Sequence, residues 1–322
     1  MMSFNKLIKN DLTKLNNIII QDLNSDIPFI NEVCNYIISA GGKRIRPILT
    51  ILIAKALEYD NELIYKMAAM IEYIHTATLI HDDIVDSSEV RRNRKTSNKM
   101  FGNAASVLVG DFIYTRAFEM MIDSGSLRLL KIMAQSTNKI SEGEILQLLN
   151  IANNNLTEQE YFAVIEYKTA TLFKASALVA TILANAPTDT ELALIEYANY
   201  LGTAFQIIDD ILDYTGNAKE LGKNIGDDIL EGKLTLPLIY TIQNDSKNSE
   251  FIKNIISNSN LVNQDTIGKI IQIVNNNNAI IYSKNIATKL IDNAIKKLEV
   301  LKNSKYKSAL HFIASESIKR TK

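Results

Sequence analysis

Breakers are scarce in this chain: its 322 residues include only 12 glycines and 4 prolines. With 47% of residues hydrophobic, few interruptions and ample core material predict a folded, mostly helical protein. Length alone suggests about two domains. No Pro/Gly/Ser-rich linker and no lasting shift in composition separates them, so one domain over residues 1–322 is expected. Cys34 is the only cysteine, which excludes an intrachain disulfide and fits a reducing compartment. No run approaches the roughly 18 apolar residues of a membrane-spanning helix. The stretch MMSFNKLIKNDLTKL lacks the apolar block of a secretory leader, so a cytoplasmic protein is expected. A surplus of one charge is lacking too. Net charge is -1, which excludes general attraction to nucleic acid or to an anionic membrane, so functional charge has to be arranged locally.

Strand-like alternation is nowhere sustained. What is present is helical spacing: Leu12, Leu15 and Ile19 near the start, and Leu290, Ala294, Leu298 and Leu301 near the end, recur on one face with charges between them. Pro28, Gly41-Gly42 with Pro47, the asparagines at 153 to 155, Pro187 and the stretch from Gly216 to Gly232 fall between such segments. An all-α fold of about a dozen helices joined by short loops is predicted, with the asparagine run at 275 to 278 as a polar loop. There is no repeat of fixed period, but one chemical pattern returns: HDDIVD at 81 to 86 reappears as DDILD at 209 to 213.

In a helix, Asp82 and Asp86 share a face, with Asp83 about 100° round from Asp82. Three carboxylates following the apolar stretch MAAMIEYIHTATLI repel one another and need a cation. Hard oxygen ligands suit Mg²⁺, which takes one or two carboxylates and completes its octahedron with water and substrate phosphates. Asp209, Asp210 and Asp213 repeat the arrangement after GTAFQII, so the expectation is two clusters facing each other across a cavity that takes a diphosphate. One DDxxD alone reads as well as a charged, solvated helix end; the second copy favours a site. If the helices end there, the helix dipole disfavours these residues, and something other than stability holds them in place.

GGKRIRP at 41 to 47 sets Lys43, Arg44 and Arg46 behind two glycines. Glycine lets backbone approach a phosphate, Arg offers a bidentate fork and Lys a point charge; alone, the segment reads as a solvated loop. Arg91, Arg92 and Arg94 follow the first acidic cluster, and Lys168, Lys223 and Lys233 lie near the motifs of the second half. These exceed what one metal-bound diphosphate needs. Two anionic substrates are expected, one held through Mg²⁺ and one directly by Lys and Arg. His75, seven residues before Asp82 and on its face, is positioned to donate a hydrogen bond to a phosphate oxygen, where a lone histidine on an apolar face is otherwise a core residue. His81 reads as a support of the site or as structural, and His311 has no constellation around it.

The blocks GGKRIRP, HTATLIHDDIVDSSEVRRNR, GNAASVLVGDFIYTRAF, EGEILQL, EYKTATLF, GTAFQIIDDILDY and LGKNIGDDILEGKLTLP, in this order from about residue 41 to 237, resemble those of the trans-isoprenyl (polyprenyl) diphosphate synthases. The resemblance implies an all-α bundle of the isoprenoid synthase type around a central cavity, a homodimer, Mg²⁺ dependence, and head-to-tail condensation of isopentenyl diphosphate with an allylic diphosphate such as farnesyl diphosphate. By the same resemblance Asp82, Asp83, Asp86, Asp209, Asp210 and Asp213 would hold Mg²⁺ at the allylic diphosphate. Lys43, Arg46, His75 and Arg92 would bind isopentenyl diphosphate. Arg91, Lys168, Thr169, Gln206 and Lys223 would bind the allylic diphosphate, with Lys233 close by. Lys168 joins Asp82, Asp83, Asp86, Asp209 and Asp210 as the implied catalytic set. Thr203 stands where the family often has Gln.

In the mechanism so implied, positive charge lets the allylic C1–O bond ionise, the alkene of isopentenyl diphosphate attacks the resulting cation, and the released diphosphate removes a proton. Apolar helices exclude the water that would quench the cation. Ala77 and Thr78, about one turn before Asp82, are small where the family associates bulk with short products. The product is therefore expected to be long; eight units, for the ubiquinone side chain, is what the resemblance implies, with a geranylgeranyl product as the shorter alternative. Met121 and Met133 would help to floor the tunnel, thioethers being suited to irregular apolar gaps, although core packing explains a buried Met equally. A lipid product suggests transient membrane contact on release. An inactive partner subunit would tend to lack aspartates that are present here, and a terpene cyclase would not need the second diphosphate site. The C-terminal SIKRTK reads either as a cover over the isopentenyl diphosphate site or as a solvated tail, and the tail is expected.

Overall fold

In this computed structural model, residues 2–216 and 225–320 are described. The helical spacings become helices: α1 (Met2–Gln21), α2 (Pro28–Ser39), α3 (Ile45–Ala56) and α4 (Leu63–Val85). After a short hairpin follow α5 (Ser97–Phe101), α6 (Asn103–Ile122), α7 (Leu127–Leu149), α8 (Glu158–Ile165), a π-helical turn (Glu166–Ala170), α9 (Thr171–Leu183) and α10 (Thr188–Thr215). Then come α11 (Asp227–Leu230), α12 (Leu236–Asn244), α13 (Ser246–Ser257), α14 (Gln264–Asn276), α15 (Ala279–Lys297) and α16 (Lys305–Ser317). The fold is all-α. Among the described residues no helix is long and apolar enough to cross a membrane.

The described residues form two compact units, one within residues 1–137, 172–198 and 297–312, the other within 138–171, 199–296 and 313–322. In the first, α4 packs against α1, α3 and α6. Met67, Ala68, Ala69, Met70, Ile71 and Ile74 are fully buried, so α4 is apolar nearly all round, as a central helix must be. Pro28 opens α2 at its first position, where a missing N–H costs nothing. In the second unit, α12 packs on α8, α13 and α14, and α8 starts at a capping box in which Thr157 and Glu160 satisfy each other's N–H groups.

Three local features differ from the expectation of helices and polar loops. The asparagine run is half helix: α14 continues through Asn276, Asn277 caps it, and Asn278 takes the left-handed conformation. A two-residue-strand hairpin, β1 (Val90–Arg91) and β2 (Arg94–Lys95), pairs Val90 with Lys95 and Arg91 with Arg94. Its turn residues Arg92 (φ 54°) and Asn93 (φ 61°) are both left-handed, as a type I′ turn requires. Strands this short carry no readable alternation. The third feature is the π turn, whose Glu166 carbonyl is satisfied by the Thr171 hydroxyl at 2.8 Å.

Candidate active site

In the first unit, α4 carries Asp82 and Asp83 in its last turn and ends on Asp86, whose N–H donates to the Asp82 carbonyl at 2.8 Å. The dipole disfavours acidic residues at this end of a helix, and packing does not require them, since Asp82 and Asp86 are half-exposed. Asp83 is buried. Burial pushes its carboxyl above the usual range, Arg91 pulls it back, and the charges of Asp82 and Asp86 raise it further. Arg91 donates to Asp83 through Nε at 2.8 Å and Nη2 at 2.7 Å.

Beside this helix end lies a cleft of about 590 Å³ in which Arg44, Arg91, Arg92, Arg94 and Lys95 face two carboxylates, Glu72 and Asp83. The balance is cationic. Arg44 (φ 50°) donates to the buried Glu72 at 2.5 Å, and Arg46 reaches His75 Nε2 at 3.2 Å while stacking on Phe173. An arginine can only donate, so Nε2 accepts and the proton sits on Nδ1. Burial and the charges of Arg46, Arg92, Arg91 and Arg44 hold the His75 pKa well below its ordinary value; the ring is neutral at pH 7 and offers one N–H. A Cβ on Gly42 would stand 3.0 Å from both Nη atoms of Arg92, so the second glycine of GGKRIRP admits that guanidinium against the backbone. Lys43 is exposed, and Lys43, Arg46 and His75 all lie outside the lining of this cleft, which of the expected set includes Arg92.

The second unit has a cleft of about 800 Å³ lined by Lys168, Thr169, Gln206, Asp210, Asp228 and Lys233, among others. The π turn carries Lys168 and Thr169 to it, a use for which such turns are often retained. Lys168 Nζ donates to Glu144 at 2.5 Å and Gln147 at 2.6 Å. A Cβ on Gly143 would fall 2.7 Å from the Lys168 backbone nitrogen. The block EGEILQL therefore acts as a cradle for Lys168: its glycine allows the approach, and its Glu and Gln orient the amine. Thr169 donates to Gln206 at 2.9 Å, Gln206 to Asp210 at 2.8 Å, and the buried Tyr161 hydroxyl to Asp210 at 2.5 Å. Burial drives the Asp210 pKa well above the carboxylate range, with Asp228 and Asp209 adding to the shift. Asp213, fully buried, accepts from the Asp228 N–H at 3.2 Å. Lys233 pairs with Glu231 at 2.7 Å.

Neither acidic cluster is a finished metal cage: among the described residues no three His, Cys, Asp or Glu side chains are grouped to hold an ion. Mg²⁺ does not need one, since it takes one or two carboxylates and fills its octahedron with water and phosphate oxygens. Burial first, and then neighbouring carboxylate charge, raise Asp83 and Asp210; the charge repulsion is the part that a divalent cation relieves. The hard oxygen donors fit such an ion.

Several expected residues have other surroundings. Arg94 donates to Ser39 Oγ at 3.0 Å and stacks over Tyr36, which fastens the hairpin to α2. The ring of His81 lies where a Cβ on Gly110 would be, 2.4 Å from Nε2, and His81 contacts Asp111 on α6 at 3.4 Å, a structural role. His311 is exposed. Ala77, Met121 and Met133 are fully buried and Thr78 is half-buried. Thr203 returns its hydroxyl to the Asn199 carbonyl at 2.9 Å. Lys223 lies outside the described residues. The expected solvated tail is corrected: Arg320 pairs with Asp209 at 2.7 Å and stacks 4.0 Å from the centre of the Phe205 ring. Glu72, Glu144, Gln147, Tyr161 and Asp228 escaped the motif reading of single residues. Asp228, Glu144 and Gln147 at least stood inside quoted blocks, whereas nothing in the sequence marks Tyr161.

Comparison with known proteins shows the family. Residues 27–274 match the family model described as Polyprenyl synthetase. The octaprenyl diphosphate synthase of Escherichia coli is 44% identical over 317 residues, 98% of each chain. The all-trans-nonaprenyl-diphosphate synthase of Rhodobacter capsulatus is 41% identical, covering 94% of this chain and 93% of its own. A crystal structure of a polyprenyl synthase from Caulobacter crescentus, complexed with calcium and isoprenyl diphosphate, superposes with a TM-score of 0.96 at 36% identity over 99% of this chain and 98% of that one. The chain belongs to the polyprenyl synthetase family, and it is a prenyltransferase of the all-α isoprenoid synthase fold.

Proposed function

We propose that the protein adds isopentenyl diphosphate units head to tail to an allylic diphosphate, with farnesyl diphosphate as primer, and releases octaprenyl diphosphate for the ubiquinone side chain. The observation that carries this reading is on α4. One helix presents half-exposed Asp82 and Asp86 at its end and, about two to three turns earlier, His75, which contacts Arg46, and Glu72, which lines a cleft of surplus positive charge. A metal-assisted diphosphate and a directly bound one are thereby served by one element.

Asp82, Asp83, Asp86, Asp209, Asp210 and Asp213 would hold Mg²⁺ with the allylic diphosphate, and bound Mg²⁺ supplies charge that neutralises the leaving group. Arg91, Lys168, Thr169, Gln206, Lys223 and Lys233 serve the same diphosphate, and Lys168, fixed by Glu144 and Gln147, adds positive charge that needs no reorganisation during the reaction. Lys43, Arg46 and Arg92 bind isopentenyl diphosphate directly, with His75 Nδ1–H as a neutral donor. The allylic C1–O bond breaks with its electron pair on the diphosphate, the alkene of isopentenyl diphosphate forms the new C–C bond, and a proton passes to the released diphosphate. The chain then lengthens past Ala77 and Thr78, each buried CH₂ contributing about 0.8 kcal/mol. Incubation with Mg²⁺, farnesyl diphosphate and labelled isopentenyl diphosphate tests the reading. Labelled octaprenyl product is expected; no incorporation overturns it, and cyclic hydrocarbon identifies a cyclase.

Met121 and Met133 are proposed as the tunnel floor. Met121→Ala or Met133→Ala is expected to lengthen the product by at least one unit on thin-layer chromatography, and an unchanged profile from both places the floor elsewhere. We assign the protein to the cytoplasm as a homodimer that touches the membrane transiently as it releases product. The dimer is supported by Leu108 and Ile122 of α6, which are 67% and 66% exposed, apolar side chains that a second copy would cover. Leu108→Asp with Ile122→Asp should sediment as a monomer where the unmodified chain sediments as a dimer.

A further inference from the structure

Tyr161 lies outside every family block quoted above, yet its hydroxyl is buried against the second acidic cluster. It donates to Asp210 Oδ2 at 2.5 Å, while Gln206 donates to Oδ1 at 2.8 Å. Both oxygens of one carboxylate are thus held by donors from α8 and α10, and each oxygen keeps a further lone pair for a cation. Asp209 is held by Arg320, on a side chain 38% exposed, and Asp213 accepts a backbone N–H. Asp210 is 5% exposed, so water contributes little to its orientation. The donors to Asp210 also reach further: Gln206 accepts from Thr169 on the π turn beside Lys168, which links the carboxylate to the segment that presents the lysine.

We propose that Tyr161 is a positioning residue for the metal, fixing the Asp210 carboxylate in the orientation in which it takes up the divalent cation. Second-sphere donors to a ligating carboxylate act this way, and their loss costs about 10–100-fold in metal affinity. The proposal rests on the reading of Asp210 as a metal ligand given above, and the experiment separates the two. Binding of inorganic pyrophosphate to the full chain is followed by calorimetry at a series of Mg²⁺ concentrations, and the Mg²⁺ concentration giving half-maximal affinity is recorded. Tyr161→Phe should raise that midpoint about 10–100-fold. Asp210→Asn should raise it at least as far, and Tyr161→Phe should add nothing in the Asp210→Asn background. Tyr214→Phe removes another buried hydroxyl contact, the 2.6 Å bond to Thr235, and should leave the midpoint unchanged. An unchanged midpoint in Tyr161→Phe, with Asp210→Asn impaired, overturns the role of Tyr161 alone; no effect of Asp210→Asn overturns the ligand reading and the proposal with it. If Tyr161→Phe does not fold, the near-ultraviolet tyrosine band of the unmodified protein serves instead. Mg²⁺ with pyrophosphate should shift it in the unmodified protein and not in Asp210→Asn, and equal shifts in both overturn the proposal.

Discussion

Asp82→Asn is expected to lower kcat for condensation by about 10²–10³-fold, the loss associated with one group that stabilises transition-state charge, while leaving the fold intact. The side chain is half-exposed at the C-terminal end of α4, where a negative charge opposes the helix dipole and adds to the repulsion on Asp83. Removing it therefore relieves that part of the electrostatics in the folded protein. Stability should change by no more than a few tenths of a kcal/mol, which is the scale of an exposed charge near a helix end. Single-turnover rates with labelled isopentenyl diphosphate, set beside urea unfolding of the same samples, check both halves. A large loss of stability would mean that the aspartate is structural.

The opposite pattern is expected at Glu72. Its side chain is 4% exposed and that of Arg44 is 9% exposed, at 2.5 Å, so the pair is an ion pair out of water. Removing one partner leaves a buried charge uncompensated, which costs roughly 3–5 kcal/mol. Glu72→Ala should lose about that much in urea unfolding at fixed protein concentration. Replacing both, as Arg44→Leu with Glu72→Leu, should recover most of the loss, because two apolar side chains remove the desolvation cost along with the attraction. If the double variant is as unstable as the single one, burial of an unpaired charge is not the cause.

Chemistry that repeats was legible in the sequence; chemistry that depends on one fold contact was not. The aspartate clusters, the arginines after the first of them and GGKRIRP carry local spacing, and local spacing is visible along a chain. Periodicity located α1 and α15 because their buried positions, such as Leu15 and Ile19 or Ala294, recur at helical intervals. The π turn is different, since Lys168 and Thr169 read as ordinary helix, and the contact that uses the turn is with Gly143. Glu72 sits in the apolar run before His75, and its partner Arg44 is 28 residues away. Arg320 belongs to a stretch that looks solvated because nothing in SIKRTK points to Asp209 and Phe205. The hairpin is too short for alternation, and its left-handed turn at Arg92 is marked only by Asn93 beside it.

The division of labour between the two diphosphates is the centre of this account, and calorimetry of each ligand with and without chelator tests it most directly. Isopentenyl diphosphate, held by Lys and Arg, should bind with the same affinity in Mg²⁺ and in EDTA. Farnesyl thiodiphosphate, an unreactive allylic analogue, should bind in Mg²⁺ and lose its binding in EDTA. Loss of isopentenyl diphosphate binding in EDTA, or retention of the analogue, would contradict the assignment of the aspartates to one substrate and the basic cleft to the other.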